Sequence, residues 1–427
     1  MPRPVIETLA TGDEVVNGDI VDGNAAYASR QLAGRGLLVT RHTALPDDTV
    51  ALEAGIREIG ARASLCVVSG GLGPTEDDLT PDVVARILGV PLEVDAEALG
   101  RMEERFARAG YRLSSNNLRS VSVPAGTEVL QNEAGTAPGF TATIGGCLFF
   151  FLPGVPTEYR FFVDAHLLPR VGRLWPGGFG AVVQLKTLGW GESHLAERFE
   201  DFPRLFPHVR VGYRAKAPEV WLKLTCEAAS RSEALALLEP AVTEAERRLG
   251  PSIFGRDEQE LDGIVHGLLR DRAATLAVAE SCTGGLISSL LTRHPGASDV
   301  FIGGVVAYSN SLKERLLGVP PGVLGRHGAV SPETAEAMAA GAANRTGAQF
   351  ALSVTGIAGP TGATPGKPVG LVYLGLAYRT PGGAILVRTL ERRFRGGRER
   401  VQRASALTAL EMLRRHLLGL PELEPAP

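Results

Sequence analysis

Lysine is scarce in this sequence: the 427 residues include 44 lysines and arginines, and only five of these are lysine. The five are Lys186, Lys216, Lys223, Lys313 and Lys367. Because arginine stays protonated at neutral pH, a lysine that is kept in such a sequence can mark a position where a side chain must lose a proton. This reasoning draws attention to Lys313, which follows an apolar segment and a short polar loop.

Other features are also missing, and each absence excludes a class of protein. No apolar run approaches the roughly 20 residues of a membrane-spanning helix, and the first residues enter a strand-like segment without a signal-peptide pattern. The four cysteines lack CxxC spacing and no two histidines are four residues apart, so no zinc motif is present. The formal net charge of −3 gives no general reason to expect nucleic-acid or membrane binding. We therefore expect a cytoplasmic protein that keeps away from membranes.

Length and pattern predict an α/β protein of three domains, because 427 residues exceed one ordinary core. Residues 1–170 alternate strands and helices, and the strands at Leu65–Ser69 and Cys147–Leu152 are almost wholly apolar. This pattern predicts a mostly parallel sheet covered by helices on both faces, that is, a three-layer α/β/α domain. Residues 171–255 predict a small α+β domain, and residues 258–420 predict a second α/β domain.

The middle segment has the pattern of a small βα domain of the kind that binds RNA. No basic aromatic surface is evident in it, which argues against RNA binding. A role as a spacer or in dimerisation is favoured, and we expect a homodimer.

The most informative stretch is Thr275–Leu291. A short apolar run, Leu276–Ala279, predicts a buried strand, and a helical pattern begins near Leu286. A strand that passes through small residues into a helix places hydroxyls and backbone N–H groups where negative charge is stabilised. Ser281 is the candidate nucleophile, and the alternative is that Ser281 and Thr283 only cap the helix. The substrate-binding candidates here are Thr283, Gly284 and Gly285.

Two other loops of the C-terminal segment carry small polar residues. The strand pattern Ile302–Tyr308 leads through Ser-Asn-Ser to Lys313, and the pattern Ala351–Val354 leads into a Gly/Thr loop. A serine and a nearby lysine can act as nucleophile and base if the lysine is neutral, and burial or a neighbouring cation would lower its pKa. The alternative is that Lys313 only attracts a substrate phosphate. The substrate-binding candidates in these loops are Tyr308, Asn310, Thr355, Gly356, Gly359 and Gly362.

The last predicted helix, Arg398–Leu418, has a cation on its apolar side. Arg403 lies four residues before Leu407 and seven before Leu410, so it points to the same face. An arginine on a core-facing stripe needs an anionic partner or a ligand phosphate, unless it extends its head group to solvent at the helix end.

In the N-terminal segment, the glycine-rich loop Gly70–Asp82 leaves the end of an apolar strand, where α/β proteins bind ligands. Glycine lets the backbone approach a phosphate, and acids beside a phosphate need a divalent cation between them. We therefore expect Mg²⁺ or another divalent cation at Asp77 and Asp78, the alternative being an ordinary turn before a helix. Thr80 is expected to cap that helix. The remaining binding candidates are Gly70, Gly71, Gly73, Gly135, Thr136 and Gly154.

These motifs resemble those of the CinA family. The N-terminal segments GGLGPTEDDLT, NEAGTAPGF and LPGVP match its first domain, which is similar to molybdopterin-binding proteins of the MogA and MoaB type. The segments AESCTGG, AYSNSLK, GAVSPET, SVTGIAGPTG and KPVGLVY are similar to its C-terminal domain, which also exists alone as nicotinamide-nucleotide amidase. The resemblance covers nearly the whole chain, in the family's order.

The resemblance implies two activities on nucleotide substrates. The C-terminal domain would hydrolyse the amide of nicotinamide mononucleotide (NMN) without a cofactor, giving nicotinate mononucleotide and ammonia. The N-terminal domain would hydrolyse the pyrophosphate of ADP-ribose with a divalent metal. Matched by position, Ser281 is the amidase nucleophile, Lys313 its general base, and Asp78 the acid after the glycine-rich loop.

The resemblance also matches Arg403 to a substrate-contacting arginine, with Arg398 or Arg400 as alternatives one turn away. Two other functions stay open. The N-terminal domain alone favours a molybdopterin-binding protein, although such proteins usually lack an AESCTGG domain. The family's competence-related name suggests a non-enzymatic role in DNA uptake, against which the net charge of −3 argues.

Overall fold

The computed structural model describes residues 3–110 and 115–423. It divides into two compact units. One holds the residues up to Val182 together with Thr225–Pro240, and the other holds Val183–Leu224 and the residues from Ala241 onward. Helices and strands alternate along the chain, as predicted for the α/β class. Within the two described stretches, every helix falls short of the length or apolarity that a membrane span requires.

The N-terminal domain is built on a six-stranded sheet of order β2-β1-β3-β8-β7-β6, with β4 and β5 in a separate antiparallel pair. The strands are β1 Ile6–Thr11, β2 Val39–Leu45, β3 Leu65–Ser69, β4 Leu92–Val94, β5 Ser122–Pro124, β6 Glu128–Leu130, β7 Gly139–Ile144 and β8 Cys147–Leu152. The helices are α1 Asp13–Val16, α2 Gly23–Gly34, α3 Thr49–Arg62, α4 Thr80–Leu88, α5 Ala96–Ala109, α6 Ser115–Arg119, α7 Pro156–Phe162 and α8 Leu168–Leu174.

Strand β3 shows why both faces of this sheet are covered. Cys66 and Val68 belong to one apolar core, in which Ile56 of α3 also lies. Leu65 and Val67 face the opposite core, on the side of α2 and α7. Because successive strand residues point to opposite faces, an apolar run fits only a sheet with helices on both sides. The three-layer prediction is confirmed.

The sheet of this domain is mostly parallel, as predicted, and one detail, the cap of α4, differs from the sequence-based expectation. The pairs β1–β2, β1–β3 and β3–β8 are parallel, but β7 and β6 add two antiparallel pairs because a short Gly-Gly turn folds β7 back on β8. The prediction that Thr80 caps α4 is wrong: the cap position is Leu79, and the hydroxyl of Thr80 donates to the carbonyl of Gly70 at 3.2 Å. Thr80 therefore ties the helix to the glycine-rich loop.

The middle domain has a four-stranded sheet of order β10-β11-β9-β12. Its strands are β9 Gly180–Leu188, β10 Val209–Lys216, β11 Glu219–Glu227 and β12 Ile253–Arg256, and its helices are α9 Glu192–Arg198, α10 Phe202–Leu205 and α11 Arg231–Leu249. The middle domain does contain one group of cations around an aromatic ring. The cationic groups of Lys186, Arg214 and Lys216 lie 4.3–5.2 Å from the ring centroid of Trp221. The ring is only 7% exposed, however, so it presents little face for a nucleic-acid base.

The C-terminal domain has a five-stranded sheet of order β14-β13-β15-β16-β17. Its strands are β13 Leu276–Glu280, β14 Phe301–Val306, β15 Phe350–Gly356, β16 Leu371–Arg379 and β17 Ile385–Arg393, and its helices are α12 Leu261–Asp271, α13 Leu286–Thr292, α14 Asn310–Leu317, α15 Pro321–His327, α16 Pro332–Thr346 and α17 Arg398–Leu418. Alternate residues of β13 enter opposite cores: Val278 packs on the side of α17, and Ala277 and Ala279 on the side of α16.

Candidate active sites

Strand order creates a crevice in the C-terminal domain. Strand β13 lies inside the sheet and runs parallel to β14 on one side and to β15 on the other. The carboxyl ends of the three strands therefore meet at one edge of the sheet. The two strands that follow β13 in the chain, β14 and β15, lie on opposite sides of it. In open α/β sheets such a switch point is where ligands bind. Ser281 follows β13 directly, Lys313 lies on α14 after β14, and Thr355 lies near the end of β15.

The structure brings Ser281 and Lys313 together. Lys313 Nζ lies 3.1 Å from Ser281 Oγ, 2.8 Å from the carbonyl oxygen of Ala307 and 3.3 Å from that of Tyr308. The lysine is 1% exposed, and this burial lowers its pKa. A neutral amine that donates two N–H groups to the two carbonyls would turn its lone pair toward the serine hydroxyl. This geometry suits a serine nucleophile with a lysine base.

Glu280, the last residue of β13, holds the turn that carries Ser281. Its carboxylate is fully buried and accepts hydrogen bonds from the backbone N–H groups of Gly285, Ile287 and Ser288 at 2.9–3.1 Å. It also accepts the hydroxyl of Ser288 at 2.8 Å. Three N–H groups that open α13 are thereby satisfied by one side chain. Sequence reasoning gave Glu280 no role.

The interpretation of Ser281 and Thr283 as helix caps is wrong. The cap position of α13 is Gly285, and no side chain at that position accepts from the helix. The carboxylate of Glu280 takes that task, so Ser281 Oγ faces Lys313 instead. The hydroxyl of Thr283 is buried and, within the described residues, finds no hydrogen-bond partner. A buried hydroxyl without a partner beside a candidate nucleophile is available to a substrate atom.

The other predicted binding residues of this domain divide into two groups. Tyr308 is 62% exposed at the mouth of the crevice, and Asn310 begins α14, next to its cap Ser309. In the loop after β15, by contrast, contacts with the protein backbone account for the predicted residues Thr355 and Gly356. The Thr355 hydroxyl donates to the carbonyl of Ala329 at 2.6 Å, and a Cβ at Gly356 would lie 2.8 Å from the carbonyl oxygen of Leu371.

The remaining glycines of that loop have positive φ, which other residues rarely adopt: Gly359 at +82° and Gly362 at +95°. Gly284 and Gly285 share this property, at +64° and +99°. These four glycines therefore allow tight turns in the loops at the crevice.

Arg403 has the anionic partner that its position demands. Its Nη2 lies 3.1 Å from Oε1 of Glu219, whose other carboxylate oxygen accepts the indole N–H of Trp221 at 2.7 Å. Glu219 is buried, whereas the Arg403 side chain is 35% exposed. The preceding residue, Gln402, donates to the carbonyl of Cys282 at 2.9 Å, which fixes α17 against the Ser281 turn.

The N-terminal domain contains a cleft of about 530 Å³ at the carboxyl ends of β1, β3 and β8. Predicted binding residues that line it are Gly70, Gly71, Gly73, Asp77, Asp78, Thr136 and Gly154. Gly135 lies outside the lining but packs against the side chain of Glu158, which is part of it. The acids of the lining are Glu14, Asp22, Asp47, Asp77, Asp78 and Glu158, and its one arginine is Arg160.

Asp78 organises the glycine-rich loop. Its Oδ1 accepts from the N–H of Gly73 at 2.6 Å, and its Oδ2 accepts from the N–H of Thr75 at 2.9 Å and from the hydroxyl of Thr75. Hydrogen bonding to Thr75 lowers the pKa of the adjacent Asp77, whereas burial raises the pKa of Asp47 across the cleft. Because six carboxylates and one arginine line the cleft, its charge favours the binding of cations.

The carboxylates of this cleft differ from a preformed metal cluster. Among residues 3–110 and 115–423, no three His, Cys, Asp or Glu side chains come together as a metal cluster. Magnesium, however, is usually held by one or two carboxylates together with substrate phosphates and water. Asp77 and Asp78 at the mouth of the loop fit that mode of binding.

Comparisons with known proteins match three successive segments of the chain. Family models match residues 258–417 as CinA C-terminal domain, residues 7–173 as probable molybdopterin binding domain and residues 184–255 as damage-inducible protein CinA KH domain. A CinA-like protein of Myxococcus xanthus is 43% identical over 420 residues, which are 97% of this chain and 99% of that protein. The chain belongs to the CinA family.

Two further relatives of this CinA-family chain are informative. A CinA-like protein of Anaeromyxobacter is 44% identical over 413 residues, covering 96% of this chain and 98% of that protein. A crystal structure of a competence/damage inducible protein from Agrobacterium tumefaciens is 42% identical, covers 36% of this chain and 91% of that chain, and gives a TM-score of 0.34. The relatives of Myxococcus and Anaeromyxobacter match nearly the whole chain, whereas the Agrobacterium structure matches about a third of it.

Proposed function

We propose that this CinA-family chain is a cytoplasmic, bifunctional hydrolase. Its C-terminal domain converts NMN and water into nicotinate mononucleotide and ammonia. Its N-terminal domain converts ADP-ribose and water into AMP and ribose 5-phosphate. The observation that carries the first activity is the 3.1 Å separation of Ser281 Oγ and Lys313 Nζ at the switch point. The cytoplasm suits four cysteines that are buried and unpaired.

The amidase reaction follows from the protons that Lys313 can move. Ser281 Oγ attacks the amide carbonyl carbon while Lys313 Nζ takes the hydroxyl proton. The C–N bond then breaks, and ammonia leaves with the proton that Lys313 returns, which leaves a nicotinoyl ester on Ser281. Water attacks the ester carbon, again losing a proton to Lys313, and nicotinate mononucleotide departs as Ser281 is restored. The hydroxyl of Thr283, which has no hydrogen-bond partner among the described residues, supports the proposal because it can donate to the developing oxyanion.

The substrate phosphate is assigned to Arg403. A guanidinium has five N–H donors, and one of those of Arg403 is given to Glu219. The side chain is also exposed enough for a phosphate to bind beside that carboxylate. Arg398 is the alternative, since its positive charge reaches Cys282 next to the nucleophile.

The pyrophosphatase is supported by the acidic cleft. Gly70 and Gly71 have φ of +111° and +69°, so the chain turns sharply at the end of β3 and no side chain blocks approach to its backbone. Asp78 holds this loop in shape, and Asp77 and Asp78 would bind a divalent cation that neutralises charge developing on the pyrophosphate. Without a cation, six carboxylates facing one arginine would repel the substrate.

The test is to incubate the purified chain with each substrate separately. Ammonia is followed with NMN, and AMP with ADP-ribose, both with Mg²⁺ and after EDTA treatment. The proposal expects both products, with AMP alone depending on metal. Absence of ammonia from a folded, metal-replete protein would refute the amidase, and absence of AMP would refute the pyrophosphatase.

A second candidate for the N-terminal cleft is a molybdopterin-type ligand, favoured by the family model that matches residues 7–173. Such a ligand is also anionic and would need the same cation. Competition separates the two: a pterin that binds tightly while ADP-ribose is neither bound nor cleaved would favour this candidate.

A further inference from the structure

The acidic cleft of the N-terminal domain holds one cation to which neither proposed activity gives a role. Arg160 is the only lysine or arginine among the described residues that line this cleft, and six carboxylates line it as well. It lies on α7, which begins two residues after Gly154, a residue of the same lining. A single positive side chain in an acidic cleft needs a physical explanation.

The acids of the cleft do not neutralise Arg160. In the part of the chain that the structure describes, its guanidinium has no hydrogen bond or ion pair, and its one contact is with an aromatic ring. Two of the nearby acids bind other groups instead. Glu158 accepts from Nδ2 of Asn132 at 2.6 Å, and Asp22 caps α2. Arg160 therefore keeps its five N–H donors for a ligand.

The aromatic ring fixes the position of Arg160. The guanidinium carbon lies 5.3 Å from the ring centroid of Tyr27 on α2. The hydroxyl of Tyr27 donates to Asp164, just beyond α7, at 2.7 Å, so the ring is tied to the segment that carries Arg160. A cation–π contact uses no N–H donor. The head group is thus positioned while its capacity for hydrogen bonds is retained.

Arg160 and the acids of the glycine-rich loop reach the cleft from opposite faces of the sheet. Helix α7 packs on one core through Tyr159, whereas Asp77 and Asp78 precede α4, whose Val83 lies in the other core. The strands that lead to these two segments, β8 and β3, are adjacent and parallel. A ligand that lies across their carboxyl ends would meet acids on one side and the guanidinium on the other.

We propose that Arg160 binds a phosphate oxygen of the pyrophosphate substrate, opposite the divalent cation expected at Asp77 and Asp78. This role rests on the proposed N-terminal activity and assigns a substrate-binding residue to it. The phosphate charge is present before the reaction begins, so Arg160 stabilises the bound substrate and the transition state alike. Loss of such an interaction raises KM and leaves kcat nearly unchanged.

The test is the Arg160→Gln variant of the full-length chain in Mg²⁺. KM and kcat are measured from AMP release, and the Kd of labelled ADP-ribose is measured by rapid filtration on ice. KM and Kd should each rise at least about tenfold, the effect of one lost hydrogen bond to a charged group, while kcat stays within about threefold. Arg160→Lys should have a smaller effect, because it keeps the charge and loses only the planar fork.

Inorganic pyrophosphate identifies the part of the substrate that Arg160 contacts. As a competitive inhibitor it offers only phosphate oxygens, so its inhibition constant should rise in Arg160→Gln by the same factor as KM. Thermal unfolding of each variant shows that the protein is folded, and the exposed position of Arg160 favours this.

Arg30→Gln is the matched control. Arg30 is exposed on α2, and its positive charge acts on the Tyr27 hydroxyl as that of Arg160 does, but it is not part of the cleft lining. The control therefore removes the same charge from the same neighbourhood without removing a donor from the cleft. It should leave KM and Kd within about twofold of the wild-type values.

Three outcomes would overturn the role of Arg160. The first is an unchanged Kd and KM in Arg160→Gln. The second is an equal rise in Arg30→Gln, which would indicate general charge attraction. The third is a raised KM with an unchanged inhibition constant for pyrophosphate, which would place Arg160 against another part of the substrate.

Failure of the hydrolase itself has a different signature. A wild-type chain that binds ADP-ribose without releasing AMP would refute the pyrophosphatase, and the Kd of Arg160→Gln would still decide whether Arg160 binds phosphate. A wild-type chain that neither binds nor cleaves ADP-ribose would overturn both.

Discussion

Replacing Lys313 by arginine separates the two roles that this residue could have. Arginine keeps the positive charge but cannot take a proton from Ser281 at neutral pH. If Lys313 is the general base, Lys313→Arg should lower kcat of the amidase by about 10²-fold or more, which corresponds to about 2.7 kcal/mol of transition-state stabilisation. If the lysine only attracts the substrate phosphate, the same variant should raise KM and leave kcat within a few-fold.

The structure favours the larger effect. The amine is 1% exposed and is surrounded by Ser281 Oγ and two carbonyl oxygens at 2.8–3.3 Å, a space made for an ammonium or amine rather than a planar guanidinium. Some loss of stability is therefore also expected, so thermal unfolding is measured alongside the kinetics. Lys313→Met is the second variant, since it is uncharged and of similar length, and it should be equally inactive.

The assay is steady-state ammonia release from NMN. Lys223→Arg is the matched control, because Lys223 is exposed on β11 and takes no part in the site. It should keep wild-type kcat and KM. A folded Lys313→Arg protein with near-normal kcat would refute the base role of Lys313.

Three further predictions concern the same sites. Amidase kcat/KM should fall about tenfold per pH unit below the pKa of Lys313, because the base must be unprotonated. Burial lowers that pKa from 10.5, so the plateau of the pH profile should begin below pH 10.5. A profile that is still rising above pH 10.5 would contradict the role of Lys313 as base. Glu280→Gln replaces one acceptor oxygen by an N–H donor opposite the N–H groups of α13, so it should lower the free energy of unfolding by about 2–3 kcal/mol and reduce ammonia release. Urea unfolding and steady-state kinetics measure the two effects, and an unchanged urea midpoint would exclude the capping role of Glu280. EDTA should abolish AMP release and spare ammonia release, and Asp78→Asn should lower AMP release at least about tenfold; equal loss of both products would contradict separate sites.

The elements that could be predicted from sequence are those with a strong local signal. Strands β3 and β8 have the predicted bounds because their apolar runs fit only a doubly covered sheet, and α17 has the predicted bounds because a glycine precedes it and another follows it. The meeting of Ser281 and Lys313 was also predictable. Both follow neighbouring strands, and the carboxyl ends of parallel strands lie at one edge.

The parts that could not be predicted depend on contacts between distant residues. The sequence predicts that Arg403 needs an anionic partner, but it does not identify that partner. Glu219 lies 184 positions earlier, in the segment predicted to form the middle domain. Glu280 is adjacent to Ser281, yet nothing local shows that its carboxylate turns toward the start of α13. The same holds for Asp78, whose bonds to Gly73 and Thr75 depend on the shape of the closed loop.

The central claim is that two hydrolytic sites act independently, one of them through Ser281. It is tested most directly by the Ser281→Ala variant, assayed with NMN for ammonia and with ADP-ribose for AMP. The account predicts that ammonia release is abolished while AMP release stays at the wild-type rate. Loss of both activities in a folded variant, or ammonia release that persists without the Ser281 hydroxyl, would contradict it.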